Sequence, residues 1–462
     1  MNYVYALFRD SFKKGDSCKQ IIGYWLPEII SATILFSLPA MVDSWIIAQL
    51  GSSTIYGALA MGSNFLHSLT KLAEAIPVAS MAIIGRHNGA KEYAQCGEGL
   101  ADSFWTTFLL GLAQFIVIFF SAHAIYRWLN VPADMVSVGA PFLQLKSLGV
   151  LLIFTTLGLL GFMRAIKNTH IPMMLNIIGL VSFIFFDYVL VLGKFGFPQL
   201  GITGSAVATI IQYGLMNIVA IGYILLNPAY KKYFTKLFFN IFNFMRMGHL
   251  VNLSWRIMLD KSIISFAYIW LAKMLAPMGK HAINSFDVVL KLERSAFLPV
   301  IAAAQIITFL VSNRLGARDV DGAYANIKKL YLLTCGSLFI ATIILLANPT
   351  YFVSIFDPNN NFTTFAVTVL PIINIFVFFD FTQVFLAGAL RGAGDVKTVM
   401  WTRFFVTFFF FVPLSYIFSS IPHISDVLRF VLVYGSFYVA TGVMGLVFLY
   451  RIKSHAWHKH IV

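Results

Sequence analysis

Seven carboxylates stand inside stretches of sequence that are otherwise apolar: Glu28, Asp43, Glu74, Asp187, Asp260, Glu293 and Asp380. An ionisable side chain in hydrocarbon costs roughly 2.5–3.5 kcal/mol on insertion scales, so each is by default a candidate for function. The chemistry open to such a group is capture of a proton or a monovalent cation, and each cation crossing a membrane releases about 2.3 kcal/mol per 100 mV of potential. Asp380, in Phe378-Phe379-Asp380-Phe381, is surrounded by apolar residues. Asp43 follows Pro39 by four residues, and the proline ring removes a helical hydrogen bond and favours a bend beside the carboxylate. Asp187 has no basic residue within a turn on its own helix, Lys194 being two turns on, so burial in a neutral form is open to it. Asp260 is flanked by Arg256 and Lys261, which leaves both cation binding and an ion pair available to it, with Lys291 and Arg294 as further partners. Glu293, between Lys291 and Arg294, reads as part of a structural charge cluster, and Lys71 can pair with Glu74 one turn away. Asp380, Asp43 and Asp187 are therefore expected to bind a driving cation in turn with substrate, while Glu74, Lys291 and Arg294 are candidates for lining a substrate cavity.

The elements that must position these groups follow from composition. Of 462 residues, 59% are hydrophobic and 11% charged, a balance that a water-facing surface does not sustain. Stretches of roughly 20 apolar residues, each long enough to span a bilayer, recur at about 21–48, 54–84, 99–122, 138–163, 171–193, 201–226, 248–275, 283–312, 327–348, 364–388, 397–419 and 427–450. The fold class expected is an all-α polytopic membrane protein of twelve transmembrane helices. Met1 to Lys19 mixes Arg9, Lys13, Lys14 and Lys19 without an apolar core, so the first span is expected to serve as its own insertion signal.

The net charge of +14 points to nucleic acid only if its placement allows it. With a cytoplasmic N-terminus, 22 of the 33 Lys and Arg fall on the cytoplasmic side, including Lys231, Lys232, Lys236 and Arg246 in the middle of the chain and Arg391, Lys397 and Arg403 near its end. Arg127, Lys194, Lys273 and Lys280 are left for the outer loops. This is the positive-inside pattern for an even number of spans with both termini cytoplasmic, and it argues for a lipid bilayer and against nucleic acid as partner. Cys18, Cys96 and Cys335 form no CxxC pair, and a structural disulfide is not expected.

Gly161-Phe162-Met163-Arg164 after span four is similar to Gly388-Ala389-Leu390-Arg391 after span ten, at an offset of 227 residues (391 − 164 = 227). Gly89-Ala90-Lys91 and Gly316-Ala317-Arg318 repeat at the same offset. Two six-helix bundles related by a pseudo-two-fold axis along the membrane normal are expected, with lobes at 1–226 and 247–462 joined by a cytoplasmic linker at 227–246. The acids do not follow the repeat: position 43 maps to Trp270, 187 to Leu414, and 380 back to Ile153. An ATP motor is not expected, since the glycines from Gly85 to Gly89 lack the Gly-Lys-Ser/Thr of a phosphate loop. Nor is an enzyme or a cofactor site, since no paired catalytic groups appear, and His455, His458 and His460 read as a solvated basic tail rather than a metal site.

Several blocks resemble the multidrug and toxic compound extrusion (MATE) family. Val42-Asp43 through Leu50-Gly51 is close to its V-D-x-x-x-x-G-x-L-G, with Ala48 at the first glycine. Asp187-Tyr188-Val189-Leu190 through Gly201-Ile202-Thr203-Gly204-Ser205-Ala206-Val207-Ala208-Thr209 is similar to its D-x-x-x-I-x-G…G-x-x-G-A-A-x-A-T, and Asp380 through Gly392 resembles the NorM-like branch. The resemblance covers about 20 to 450. It implies a secondary antiporter of the bacterial inner membrane, functioning as a monomer, that exports small amphipathic, often cationic, molecules in exchange for Na+ or H+. It also implies an N-lobe cation or proton site at Asp43, Asp187 and Thr209, and a C-lobe site at Asp380. Phe183 stands where relatives carry an asparagine, and the span-seven acid of the family lies about one turn beyond Asp260. Lys71, Lys291 and Arg294 suit an alternative within the same superfamily, a flippase of lipid-linked oligosaccharide or peptidoglycan precursors, whose polyanionic substrate calls for basic residues.

Overall fold

The computed structural model describes residues 14–457 apart from 37, 53–54, 56–57, 60–61, 64, 67–69, 71–72, 129–131, 234–242, 358–359, 361 and 455–456, and every regular element among the described residues is helical. Each expected span corresponds to one helix or one broken helix. Span one comprises Cys18–Phe36 and Leu38–Ala48, and span two is described from Ala75 to Gly89. Spans three to six are Tyr93–Trp128, Ala133–Ala165, His170–Leu192 and Ile202–Leu226. Span seven is Phe244–Leu275, span eight Lys280–Ala296 with Leu298–Gly316, and span nine Val320–Ala347. Span ten is Thr363–Ile375 with Val377–Gly392, span eleven runs from Val396 to Ser420, and span twelve is Asp426–Lys453. Eight of these helices, or nine with the bent pair of span ten, are long and apolar enough among the described residues to cross a membrane.

Breaks occur where the backbone cannot continue. In span ten, Pro371 supplies no N–H to the turn before it, and the helix bends by 48° between its two segments. The tightened turns Phe376 N–H to Ile373 C=O and Phe379 N–H to Phe376 C=O, both 3.0 Å, carry the chain through the bend. Span eleven widens into a π-helical stretch at Val406–Phe411 just ahead of Pro413, which absorbs the missing hydrogen bond. Pro39 falls in the first turn of its segment, where an N–H is dispensable.

The repeat seen in the sequence recurs in the backbone. After span two, Lys91 takes a left-handed conformation, with Lys91 N–H bonded to Asn88 C=O at 3.2 Å and Glu92 N–H to His87 C=O at 2.8 Å. After span eight, Arg318 is left-handed and bonds Leu315 C=O at 3.0 Å, while Asp319 N–H reaches Arg314 C=O at 2.9 Å. The same helix-ending motif closes span four at Lys167 and Asn168 and span ten at Gly394 and Asp395. Each position in the second pair of turns lies 227 residues after its counterpart in the first. Packing follows the same offset: a Cβ on Gly161 would meet Pro77 Cα at 2.9 Å, and one on Gly388 would meet Ala304 C=O at 2.5 Å. Span four thus touches span two, and span ten touches span eight, through glycines that let backbones approach.

Two compact units result, Leu26–Trp255 and Arg256–Val462, the second including the N-terminal segment through Trp25. The division falls inside span one and inside span seven, whereas the sequence placed it at the polar linker 227–246 and assigned residues 1–25 to the first lobe. The reason is a clamp on the turn between spans eight and nine. Asp16 accepts from Arg314 Nε at 3.1 Å and from Asn326 Nδ2 at 2.6 Å, and buried Lys329 donates to the carbonyls of Lys14 and Asp16 at 2.6 and 2.9 Å. Trp25 Nε1 adds a bond to Pro299 C=O at 2.9 Å. The Gly388 contact predicts that Gly388→Ala overpacks the span eight–span ten interface and lowers stability by about 1–3 kcal/mol. An unfolding titration in mixed micelles reads this, and an unchanged midpoint refutes the contact.

Candidate functional site

In the first unit, Asp43 of span one, Lys146 of span four and Asp187 of span five form one polar group within an apolar interior. Their placement starts with the loop between spans five and six. Gly193 ends span five with φ +67, a left-handed position suited to glycine, and a Cβ on Gly204 would meet the Leu190 and Val191 backbone at 2.8 Å. Span six therefore starts flush against the end of span five, with Ser205 reaching Lys146 and Thr209 packed against Gly149 of span four. Lys146 Nζ donates to Asp43 Oδ2 at 3.3 Å and to Ser205 Oγ at 3.5 Å, and lies 4.9 Å from the centre of the Phe142 ring. Thr209 Oγ1 donates to Ser205 C=O at 2.9 Å, which leaves its lone pairs available as a neutral ligand.

Asp187 is 0% exposed, and neither of its carboxylate oxygens has a hydrogen-bond partner among the described residues. The charges acting on it are those of Asp43 and Lys146. Asp43 Oδ1 is likewise without a partner among the described residues. A buried carboxylate in this state carries an uncompensated desolvation cost, which a bound proton or cation removes. Two carboxylates and one ammonium sum to one negative charge, so one monovalent cation balances the group. Lys146 was not anticipated from the sequence, although a basic residue in the middle of a 33-residue apolar helix is the signal that marks it.

The second unit is organised differently. Asp260 of span seven was expected to be either a cation ligand or the ion-pair partner of Arg256, Lys291 or Arg294. Both its oxygens are occupied, one by Arg391 Nη2 from span ten and the other by Arg403 Nη1 from span eleven at 2.7 Å. Arg403 also donates to Gln383 Oε1 at 2.7 Å, and Gln383 Nε2 donates to Asp380 Oδ1 at 2.8 Å. A buried chain thus runs Arg391, Asp260, Arg403, Gln383, Asp380. Asp260 has both oxygens engaged by guanidiniums and offers none for a coupling ion; its single negative charge offsets one of the two arginines, and Asp380 at the end of the chain offsets the other. Arg403 had been counted with the cytoplasmic basic residues, yet it turns inward and is 4% exposed. Asp380 lies in the first turn after the span-ten bend, where the helix dipole favours a negative charge.

Of the structural charge cluster expected around Glu293, Lys291 is turned away and only the charge of Arg294 acts on the acid, with no ion pair formed among the described residues. Glu293 shares the inward face of its helix with Phe286 and Val289 and accepts from Tyr434 OH at 2.5 Å, while Lys291 and Arg294 lie on the exposed side. Its Oε1 has no partner among the described residues, and its charge acts on Asp380 and Tyr268 nearby. Tyr268, Tyr434 and Tyr438 give this pocket an aromatic wall, with Arg294 5.4 Å from the Tyr268 ring centre. Of the cavity candidates, Lys291 is paired with Asp287 one turn earlier at 2.6 Å. Glu74 stands half-buried at the start of the Ala75–Gly89 helix, and Lys71 lies outside the described residues, as do His455, His458 and His460. Among the described residues no group of three His, Cys, Asp or Glu side chains is placed to hold a metal ion.

Glu28 and Arg164 supply the counterpart in the first unit of the Asp260 pairing, with Arg164 Nε donating to Glu28 Oε1 at 2.7 Å and both side chains buried. In each unit an acid from the first helix of the repeat neutralises the arginine at the end of the fourth. Arg403→Leu is expected to leave Asp260 Oδ1 and Gln383 Oε1 without their donor and Asp380 without its balancing charge, and to cost about 3–5 kcal/mol. A thermal melt in detergent that matches the parent protein removes Arg403 from this role.

The MatE family model matches the chain twice, at residues 29–189 and 257–417. The two matches start 228 residues apart (257 − 29 = 228), within one residue of the offset read from the sequence. The chain is 22% identical over 404 residues to the multidrug resistance protein MdtK of Edwardsiella ictaluri, covering 86% of this chain and 87% of that protein. It is 24% identical over 405 residues to the probable multidrug resistance protein NorM of Pasteurella multocida, covering 86% and 85%. An outward-facing multidrug resistance MATE family transporter of the MOP superfamily superimposes with a TM-score of 0.85 at 15% identity, over 97% of this chain and 98% of that one. A MOP superfamily transporter from Pyrococcus furiosus, whose binding pocket of reverse polarity suggests a different function, superimposes with a TM-score of 0.83 at 15% identity over 96% and 97%.

Proposed function

Since the chain belongs to the MatE family, we propose that it is a secondary active antiporter of the bacterial inner membrane that exports small amphipathic, often cationic, organic compounds in exchange for Na+ or H+. Both termini lie in the cytoplasm, and one polypeptide suffices for the cycle. The observation that carries the reading is the carboxylate of Asp187, fully buried, without a hydrogen-bond partner among the described residues, and grouped with Asp43. A group in that state is stabilised by taking up one cation and destabilised by losing it. That difference lets an ion gradient bias one conformation over another. In the second unit, Asp380 and Glu293 together with Tyr268, Tyr434 and Tyr438 offer negative charge and ring faces, the pairing that attracts an organic cation.

Multidrug resistance is what the names of the relatives from Edwardsiella ictaluri and Pasteurella multocida state, and export of such compounds is consistent with it. The flippase reading draws on free basic residues, and the second unit offers it fewer than the sequence suggested. Lys291 is paired with Asp287, and the buried guanidiniums of Arg391 and Arg403 are held by Asp260.

Reconstituted in proteoliposomes, Asp187→Asn is expected to lose at least about 90% of cation-driven efflux of a fluorescent organic cation, because an amide takes up neither a proton nor a full ionic partner. Asp380→Asn tests the second unit in the same assay. Full gradient-driven transport by either variant removes that residue from the coupling machinery.

A further inference from the structure

Lys146 brings a positive charge to the carboxylates of Asp43 and Asp187 in the first unit. Its side chain is 14% exposed, and that of Asp43 is 9% exposed. The ammonium has three N–H donors, of which one points to Asp43 Oδ2 at 3.3 Å and another to Ser205 Oγ at 3.5 Å. Three carboxylate oxygens of the same group, Asp43 Oδ1 and both oxygens of Asp187, receive no hydrogen bond among the described residues. The charged groups acting on Asp187 are Asp43 from span one and Lys146 from span four, while span six contributes the uncharged Ser205 hydroxyl, which bonds Lys146, and Thr209 one turn further along the same helix.

A sodium ion in such a place needs several oxygens converging on one point, and the carboxylates of Asp43 and Asp187 with the hydroxyls of Ser205 and Thr209 are the oxygens on offer. Lys146 already places a covalently tethered positive charge on two of these oxygens, Asp43 Oδ2 and Ser205 Oγ. A proton needs only one oxygen and no free volume. We propose that Lys146 is a built-in cation that takes the place of a sodium ion at Asp43 and Ser205, with its charge acting on Asp187, so that the first unit couples to protons and not to sodium; this rests on the reading of Asp187 as a coupling group.

The charges close in both states. With one proton on an Asp187 oxygen, the site holds a neutral acid and an ammonium–carboxylate pair, and its net charge is zero. When that proton leaves, one negative charge is left, shared by two carboxylates around one ammonium. Sodium binding to the same site requires the ammonium to be displaced or to lose its own proton, each of which opposes the binding. Deleting the ammonium leaves two negative charges and a vacated position, which is a sodium site.

Sodium binding can be read without knowing the transported compound. Purified protein is melted in detergent in sodium chloride and in equimolar choline chloride, since a ligand that binds the folded state raises the unfolding midpoint. The parent protein is expected to melt at the same temperature in both salts, and Lys146→Met is expected to gain a saturable sodium-dependent rise, with sodium affinity at least roughly tenfold above the parent. Lys146→Arg keeps the charge and is expected to stay sodium-indifferent. If Lys146→Met does not fold, Lys146→Gln, whose amide still bonds Asp43, takes its place. A parent protein stabilised by sodium, or neutral variants as indifferent to sodium as the parent, overturns the proposal. Proton-driven efflux of ethidium by Asp187→Asn proteoliposomes separates the two claims. Full efflux there removes Asp187 from coupling altogether, whereas lost efflux with sodium-indifferent Lys146 variants overturns only the role given to Lys146.

Discussion

Charge buried in a hydrocarbon-solvated protein must be neutralised by something within reach, and most of what is specific about this molecule follows from where that condition is met and where it is not. Desolvated ions are costly enough that a buried acid is stable when every oxygen has a donor and unstable when none has. Asp260 meets the condition on both oxygens with Arg391 and Arg403, and Glu28 is neutralised one-to-one by Arg164 at Oε1. Asp187 does not, and Asp43 does so on one oxygen only. The distinction sorts acids that hold helices together from acids that await a cation, and position in a span alone does not draw it.

The internal repeat shows what was kept and what diverged. The helix-ending turns after spans two, four, eight and ten share their hydrogen bonds and left-handed residues at one offset, and the glycines that admit close helix contacts follow suit. These features depend on backbone geometry, which tolerates few substitutions. The polar interior has gone separate ways. Where the first unit has Asp43, Lys146 and Asp187, the second has Trp270, Ile373 and Leu414, and Trp270 Nε1 donates to Ser415 Oγ at 2.9 Å in a neutral contact. In return the second unit has Asp380 where the first has Ile153. The halves share a scaffold and hold different chemistry on it.

Within the second unit the helix breaks and the polar chain are linked. The span-ten bend puts Asp380 in a first turn, and the π-helical stretch of span eleven begins one turn after Arg403. Gln383 joins the two, so the charge on Asp380 is sensed by the guanidinium that also holds Asp260. Spans seven, ten and eleven are thereby tied by one electrostatic network whose weakest member is the acid beside the bend.

Twelve apolar stretches, the basic residues that flank them and the duplicated turns were legible in the sequence because each is local: hydropathy, charge placement and short motifs repeat along the chain without reference to its fold. The same holds for Asp43, Asp187 and Asp380 as acids inside apolar runs. Partnership was not legible, since it joins residues far apart. Asp260 had Arg256 and Lys261 as sequence neighbours, yet its oxygens go to arginines 131 and 143 positions away. Glu293 looked like one charge among three until helix phase turned it inward to Tyr434, left Lys291 exposed and put Arg294 over the Tyr268 ring. Lys146 acquired meaning only when spans one, four and five brought it beside Asp43 and Asp187. The sequence by itself determined that this chain lives in a membrane as two related bundles, because hydrophobicity and periodicity act locally. Only the tertiary structure decided which buried charges are satisfied, because neutralisation is a property of pairs and the pairs are made by packing.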